Sequence, residues 1–110
     1  MSPMTHDSLP TANLPAVSFD TFTSGLCSEV RLRMLREIAM SVGGLLNVEL
    51  SERLGMKATN VSKNIRVLRG FGLVVTSRAG LHTIPPGRLV SREEAVIDYG
   101  LCLLRLGGGK

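Results

Sequence analysis

Within the ten residues from Lys57 to Arg66 the chain places Thr59, Asn60, Ser62, Lys63 and Asn64, a run of cations, amides and hydroxyls. Amides and hydroxyls both donate and accept hydrogen bonds, while ammonium and guanidinium groups hold oxyanions. At 100° per residue, Thr59, Asn60, Lys63, Arg66 and Val67 share one arc of a helix, with Ser62 and Asn64 on its flanks. Ala58, Val61, Ile65 and Leu68 fall on the opposite arc as a short apolar stripe. A helix of this kind fits the major groove of B-DNA, where such side chains read base edges or hold phosphates. Its N-terminus, near Lys57 and Thr59, adds the positive end of the helix dipole. Arg78, in the turn signal Arg78-Ala79-Gly80, is placed to reach an adjacent groove or the phosphate backbone. The candidate DNA-binding residues are therefore Lys57, Thr59, Asn60, Ser62, Lys63, Asn64, Arg66 and Arg78.

Charge distribution points the same way. The 110 residues carry a formal net charge of +4, a small figure for so basic a sequence. From Arg53 to Arg92, however, there are eight basic residues and no acidic one. The remaining chain has five basic residues against nine acidic ones. So uneven a split predicts that one group of elements faces a polyanion. A solvated basic face without a ligand is the plain alternative.

Other function classes fit poorly. Aromatic residues are 4% of the chain and Trp is absent, so single strands and RNA, often held by base stacking, are weak candidates. There is no Gly-rich phosphate loop before a helix, no Ser/His/Asp set and no paired carboxylates with a pocket signal, which argues against an enzyme and calls for no cofactor. His6 and His82 lack ligand spacing, so no metal site is expected. Cys27 and Cys102 are too few for a disulfide scaffold; they read as two buried small hydrophobes, or as a speculative redox pair. No apolar run approaches a membrane span, and the first residues lack a signal-peptide h-region, so a cytoplasmic domain without membrane association is expected.

The elements that must position these side chains follow from local signals. Residues 1–18, with Pro3, Pro10 and Pro15, read as a flexible arm, 19–106 as one folded domain and 107–110 as a disordered tail. Ser28 is a candidate N-cap, followed by Val30, Leu32, Met34, Leu35, Ile38 and Ala39 at mostly helical spacing up to Gly43-Gly44. Arg33 stands four residues before Glu37, within pairing reach. A second helix is predicted over Asn47–Leu54, with Val48, Leu50 and Leu54 toward the core and Gly55 as its turn. The third is predicted over Ala58–Arg69, stopped by Gly70 and Gly72. Residues 73–77 and 81–84 read as a β-hairpin, with His82 on its surface. For 92–106 two readings stay open: Ser91-Arg92-Glu93-Glu94 has capping-box spacing for a helix, while Val96-Ile97-Asp98-Tyr99 is strand-like. The apolar Leu101-Cys102-Leu103-Leu104 stretch needs burial. Two short helices joined through Gly, then a hairpin, describe a mainly α fold with a small β-hairpin, a winged helix-turn-helix.

Cys27-Ser28-Glu29-Val30-Arg31-Leu32-Arg33-Met34-Leu35 resembles the second-helix opening of ArsR/SmtB-type winged-helix regulators. Residues 48–57 resemble their positioning helix and turn, 60–69 their recognition helix, and Phe71-Gly72-Leu73-Val74 the approach to their wing. The resemblance covers about residues 26–84, and its helix-turn-helix part is shared with MarR-like regulators. It implies a homodimeric transcriptional regulator, usually a repressor, that binds an inverted repeat in double-stranded DNA. Leu46 and Val48 stand where the soft-metal sensors of that family carry thiols, and the C-terminal region has no His, so a metal effector is not expected. The alternative from another class is a winged-helix protein-interaction module that docks an acidic partner without DNA.

Overall fold

The computed structural model describes residues 28–100 and 103–107. Among the described residues three helices precede the strands: α1 Glu29–Met40, α2 Asn47–Leu54 and α3 Ala58–Gly70. Five short strands follow: β1 Val75–Thr76, β2 His82–Thr83, β3 Leu89–Ser91, β4 Val96–Asp98 and β5 Leu103–Arg105. The chain is a mixed α/β fold in which three helices share one core with small antiparallel sheets.

Helix α1 starts where its cap allows. Ser28 is extended, and its hydroxyl accepts from the Arg31 N–H at 3.3 Å, satisfying one of the free first-turn donors. Its apolar face buries Met34, Leu35, Ile38 and Ala39. The opposite edge carries Glu37, which pairs with Arg36 and with Arg53 of α2, each at 3.3 Å, and not with Arg33. Tertiary approach of α2 supplies the partner that i,i+4 spacing alone does not.

Gly44 then brings the backbone close against β2. It has φ +92°, and a Cβ built there would lie 2.7 Å from both the His82 carbonyl oxygen and Thr83 Cγ2. That approach lets Leu45 exchange two backbone hydrogen bonds with His82, N–H to O at 3.1 and 2.8 Å. The α1–α2 connection is thereby stitched to the β1–β2 ribbon, whose register pairs Val75 with Thr83 and Thr76 with His82.

Helix α2 has only two turns. Glu49 closes its start by accepting from the Leu46 N–H at 2.8 Å, and Gly55 ends it in the left-handed region at φ +65°. Leu50 is fully buried, but Val48 is 57% exposed rather than core-facing. Ala58 is likewise exposed, so the buried stripe of α3 is Val61, Ile65 and Leu68. In each case the side chain lies in the first turn of its helix.

The C-terminal region corrects the expectation of a single hairpin. Strands β3, β4 and β5 form a second, three-stranded antiparallel sheet in sequential order, with a bulge between Leu89 and Ser91. No helix begins near Arg92. The Ser91 hydroxyl accepts from the Glu94 N–H at 3.2 Å, so the capping-box spacing caps the 92–95 turn between β3 and β4 instead. A hydroxyl three residues upstream serves either structure, and pairing of β4 with β5 decides between them. Leu104 is half-buried in β5 while Leu103 is exposed, so alternation along the strand buries only part of that apolar stretch. Ala95, Ile97 and Tyr99 join the helical core, and the Tyr99 hydroxyl donates to the Leu73 carbonyl at 2.7 Å, tying this sheet to the approach of the ribbon.

No helix among the described residues is long and apolar enough to cross a membrane. Cys27, Cys102, the arm at 1–18 and residues 108–110 of the expected tail lie outside the described residues.

Candidate nucleic-acid interface

Helix α3 is the centre of the candidate site. Its buried stripe anchors it against the core, and its other side presents Thr59, Asn60, Ser62, Lys63, Arg66 and Arg69, all exposed. Lys57 is exposed at the cap position, and no side chain caps the helix. The first-turn N–H groups and the dipole therefore add to the positive field at that end. Arg78 is exposed at the tip of the β1–β2 ribbon, where Gly80 N–H donates to the Ser77 carbonyl at 3.0 Å to close the turn.

Asn64 is placed differently. It is half-buried, its Oδ1 accepts from Arg31 Nη1 at 3.1 Å, and its Nδ2 donates to the Asn60 carbonyl at 2.9 Å. Asn64 thus ties α3 to α1, while Asn60 keeps its side chain at the surface.

The basic segment divides into two sets. Arg53 pairs with Glu37, the buried Arg88 donates to the Asp98 carbonyl at 3.4 Å, and Arg92 donates to the Ser41 carbonyl at 2.7 Å. These three have intramolecular partners, although Arg53 and Arg92 are themselves exposed. Lys57, Lys63, Arg66, Arg69 and Arg78 are exposed, and none of the five enters an ion pair among the described residues. Counting charges along the chain could not separate the sets, because the three inward partners lie 10 to 51 residues away.

His82 is not at the surface, where sequence reasoning placed it. It is only 4% exposed, on β2, and both ring nitrogens are engaged. Nδ1 lies 2.8 Å from Thr76 Oγ1 across the ribbon, and Nε2 lies 2.7 Å from Asn47 Oδ1 at the start of α2. Asn47 Nδ2 donates in turn to Ser62 Oγ on the open face of α3, at 3.3 Å. Burial holds the His82 pKa below its ordinary value of 6.5, and the Arg69 guanidinium pushes it the same way. Both effects favour the neutral ring. No local signal marks His82 as buried, since its partner Asn47 is 35 residues away.

Two recesses lie along α3. A shallow groove of about 340 Å³ is lined by Ala58, Thr59, Ser62, Lys63 and Arg66. A cleft of about 540 Å³ is lined by Asn47, Ser62, Arg66, Arg69 and His82, together with Ile65 and Gly70. Ser62 and Arg66 line both recesses. Among the described residues no three His, Cys, Asp or Glu side chains cluster as metal ligands. The chain matches no protein-family model, no curated protein and no solved structure.

Proposed function

We propose that this chain is a winged helix-turn-helix regulator that binds double-stranded DNA sequence-specifically, with α3 in the major groove and the β1–β2 ribbon as the wing. The observation that carries this reading is the outward face of α3, where Thr59, Asn60, Ser62, Lys63, Arg66 and Arg69 stand exposed with no acidic neighbour on the helix. Lys57, Lys63 and Arg66 supply attraction to phosphates, and the amide and hydroxyl groups of Asn60 and Thr59 supply donors and acceptors for base edges. The bridge from Leu45 to His82 supports it further, because it fixes the ribbon against the helix pair. Arg78 at the ribbon tip then reaches a backbone or minor groove beside the one that α3 occupies.

On this reading the chain acts in the cytoplasm as a homodimer on an inverted repeat, most simply as a repressor that occludes a promoter. Selection of bound duplexes from a fragmented genome tests specificity and symmetry together. An enriched palindrome supports the reading, and enrichment of a single half-site supports DNA binding by a monomer. No enrichment, with an acidic protein co-purifying at stoichiometric ratio, replaces it with a protein-docking module.

A further inference from the structure

The cleft between α3, the start of α2 and β2 carries a hydrogen-bond chain with a direction. Asn47 Oδ1 faces His82 Nε2 at 2.7 Å, and a carbonyl oxygen only accepts, so the ring proton sits on Nε2. The neutral ring then offers Nδ1 as acceptor to the Thr76 hydroxyl at 2.8 Å. Asn47 Nδ2 donates to Ser62 Oγ, occupying a lone pair of that hydroxyl. The Ser62 O–H is left as the end of the chain, and Ser62 is exposed and lines the cleft. Every member passes a donor toward the surface, which polarises the terminal O–H as a donor.

Two cations line the same cleft as that donor. They are Arg66 and Arg69, three residues apart on α3, and neither is in an ion pair among the described residues. Guanidinium groups present paired N–H donors matched to the oxygens of a phosphate. No carboxylate lines the cleft. A neutral ligand would leave both charges uncompensated, and a cation would be repelled. From this geometry we infer that the cleft is a binding site for a phosphate-class oxyanion, held by Arg66 and Arg69 and oriented by the Ser62 hydroxyl. Asn47 and His82 are positioning residues: they fix the direction in which Ser62 donates and touch no ligand themselves. The phosphate group comes either from a DNA backbone or from a free phosphate-bearing molecule. The site stands on its own geometry, and only the DNA source rests on the function proposed above.

The test uses the full chain, with inorganic phosphate and a random-sequence duplex as separate probes and sodium chloride as a control for general ionic strength. Saturable phosphate-induced shifts of the Ser62, Arg66, Arg69 and His82 NMR signals are expected. Arg69→Gln and Ser62→Ala each weaken the phosphate response or the duplex affinity at least several-fold while the thermal midpoint stays unchanged. Asn47→Leu is the positioning test: it adds no charge to the cleft and removes both the acceptor for His82 Nε2–H and the donor to Ser62. It should therefore weaken phosphate binding and also shift the His82 ¹⁵N signals, whereas Ser62→Ala weakens phosphate binding with those signals keeping the Nε2–H tautomer. Phosphate binding at the cleft by a chain that ignores duplex leaves the site standing and overturns the DNA reading. Duplex binding unchanged in both Arg69→Gln and Ser62→Ala, with no saturable phosphate response, keeps the DNA reading and overturns the site.

Discussion

Replacing single cations from the two sets and reading the salt dependence of duplex binding separates outward charge from structural charge. Each phosphate neutralised by a cation releases counterions, so log K falls against log salt with a slope of about −0.9 per contact. If all eight basic residues from Arg53 to Arg92 met phosphates, binding would weaken about 20,000-fold per protomer between about 50 and 200 mM salt. With only Lys57, Lys63, Arg66, Arg69 and Arg78 available, the same change in salt weakens it about 500-fold. Lys63→Gln should therefore make the slope shallower by about 0.9, which is about 3.5-fold in affinity over that salt range. Arg53→Gln should leave the slope unchanged, because Arg53 already spends its charge on Glu37 at 3.3 Å. Arg92→Gln should do the same, its guanidinium being held on the Ser41 carbonyl at 2.7 Å. Fluorescence anisotropy with a fixed random-sequence duplex, titrated at several salt concentrations, gives each slope directly. A drop for Arg53→Gln or Arg92→Gln as large as that for Lys63→Gln refutes the division. So does an unchanged slope for Lys63→Gln.

Three further outcomes concern the scaffold. The folded His82 ring has a pKa below 6.5, so the unfolded chain binds its proton first as pH falls. The stability this group contributes is complete above pH 6.5, declines as pH drops through that value, and levels off below the folded-state pKa. Urea midpoints across this range should show the acid limb, and His82→Gln should remove it. Gly44→Ala should destabilise by about 2–3 kcal/mol in chemical denaturation, since it adds a steric clash at 2.7 Å to the left-handed backbone. Gly43→Ala, at φ +85° with nothing within 4 Å, carries the backbone term alone and should cost about 1–2 kcal/mol. Tyr99→Phe leaves the Leu73 carbonyl without this 2.7 Å donor and should cost about 1–2 kcal/mol with an unchanged denaturant slope.

Much of this fold is legible from neighbouring residues. The hydroxyl of Ser28, the left-handed turn at Gly55 and the spacing of Val61, Ile65 and Leu68 act within about one helical turn, so the three helices emerge from short windows. The same windows mislead where one local pattern serves two structures. Ser91 and Glu94 have the spacing of a helix start, yet their hydrogen bond closes a turn between strands, because the pairing of β4 with β5 outweighs it. Val48 sits in a helix of two turns, too short for periodicity to define which face is packed.

The candidate site divides along the same line. Sequence by itself determines that positive charge concentrates between Arg53 and Arg92, and that Thr59, Asn60, Ser62 and Lys63 share the open side of one helix. Charge sign and helical period are properties of residues and their near neighbours. Only the tertiary structure decides which cations remain available, because Glu37 and the carbonyls of Ser41 and Asp98 come from distant parts of the chain to hold three of them. It alone also places His82 behind Asn47 and Ser62, turning a hairpin residue into the buried support of a cleft. Those contacts form only when α1, α2 and the ribbon close on one core, and no spacing within any single segment encodes them.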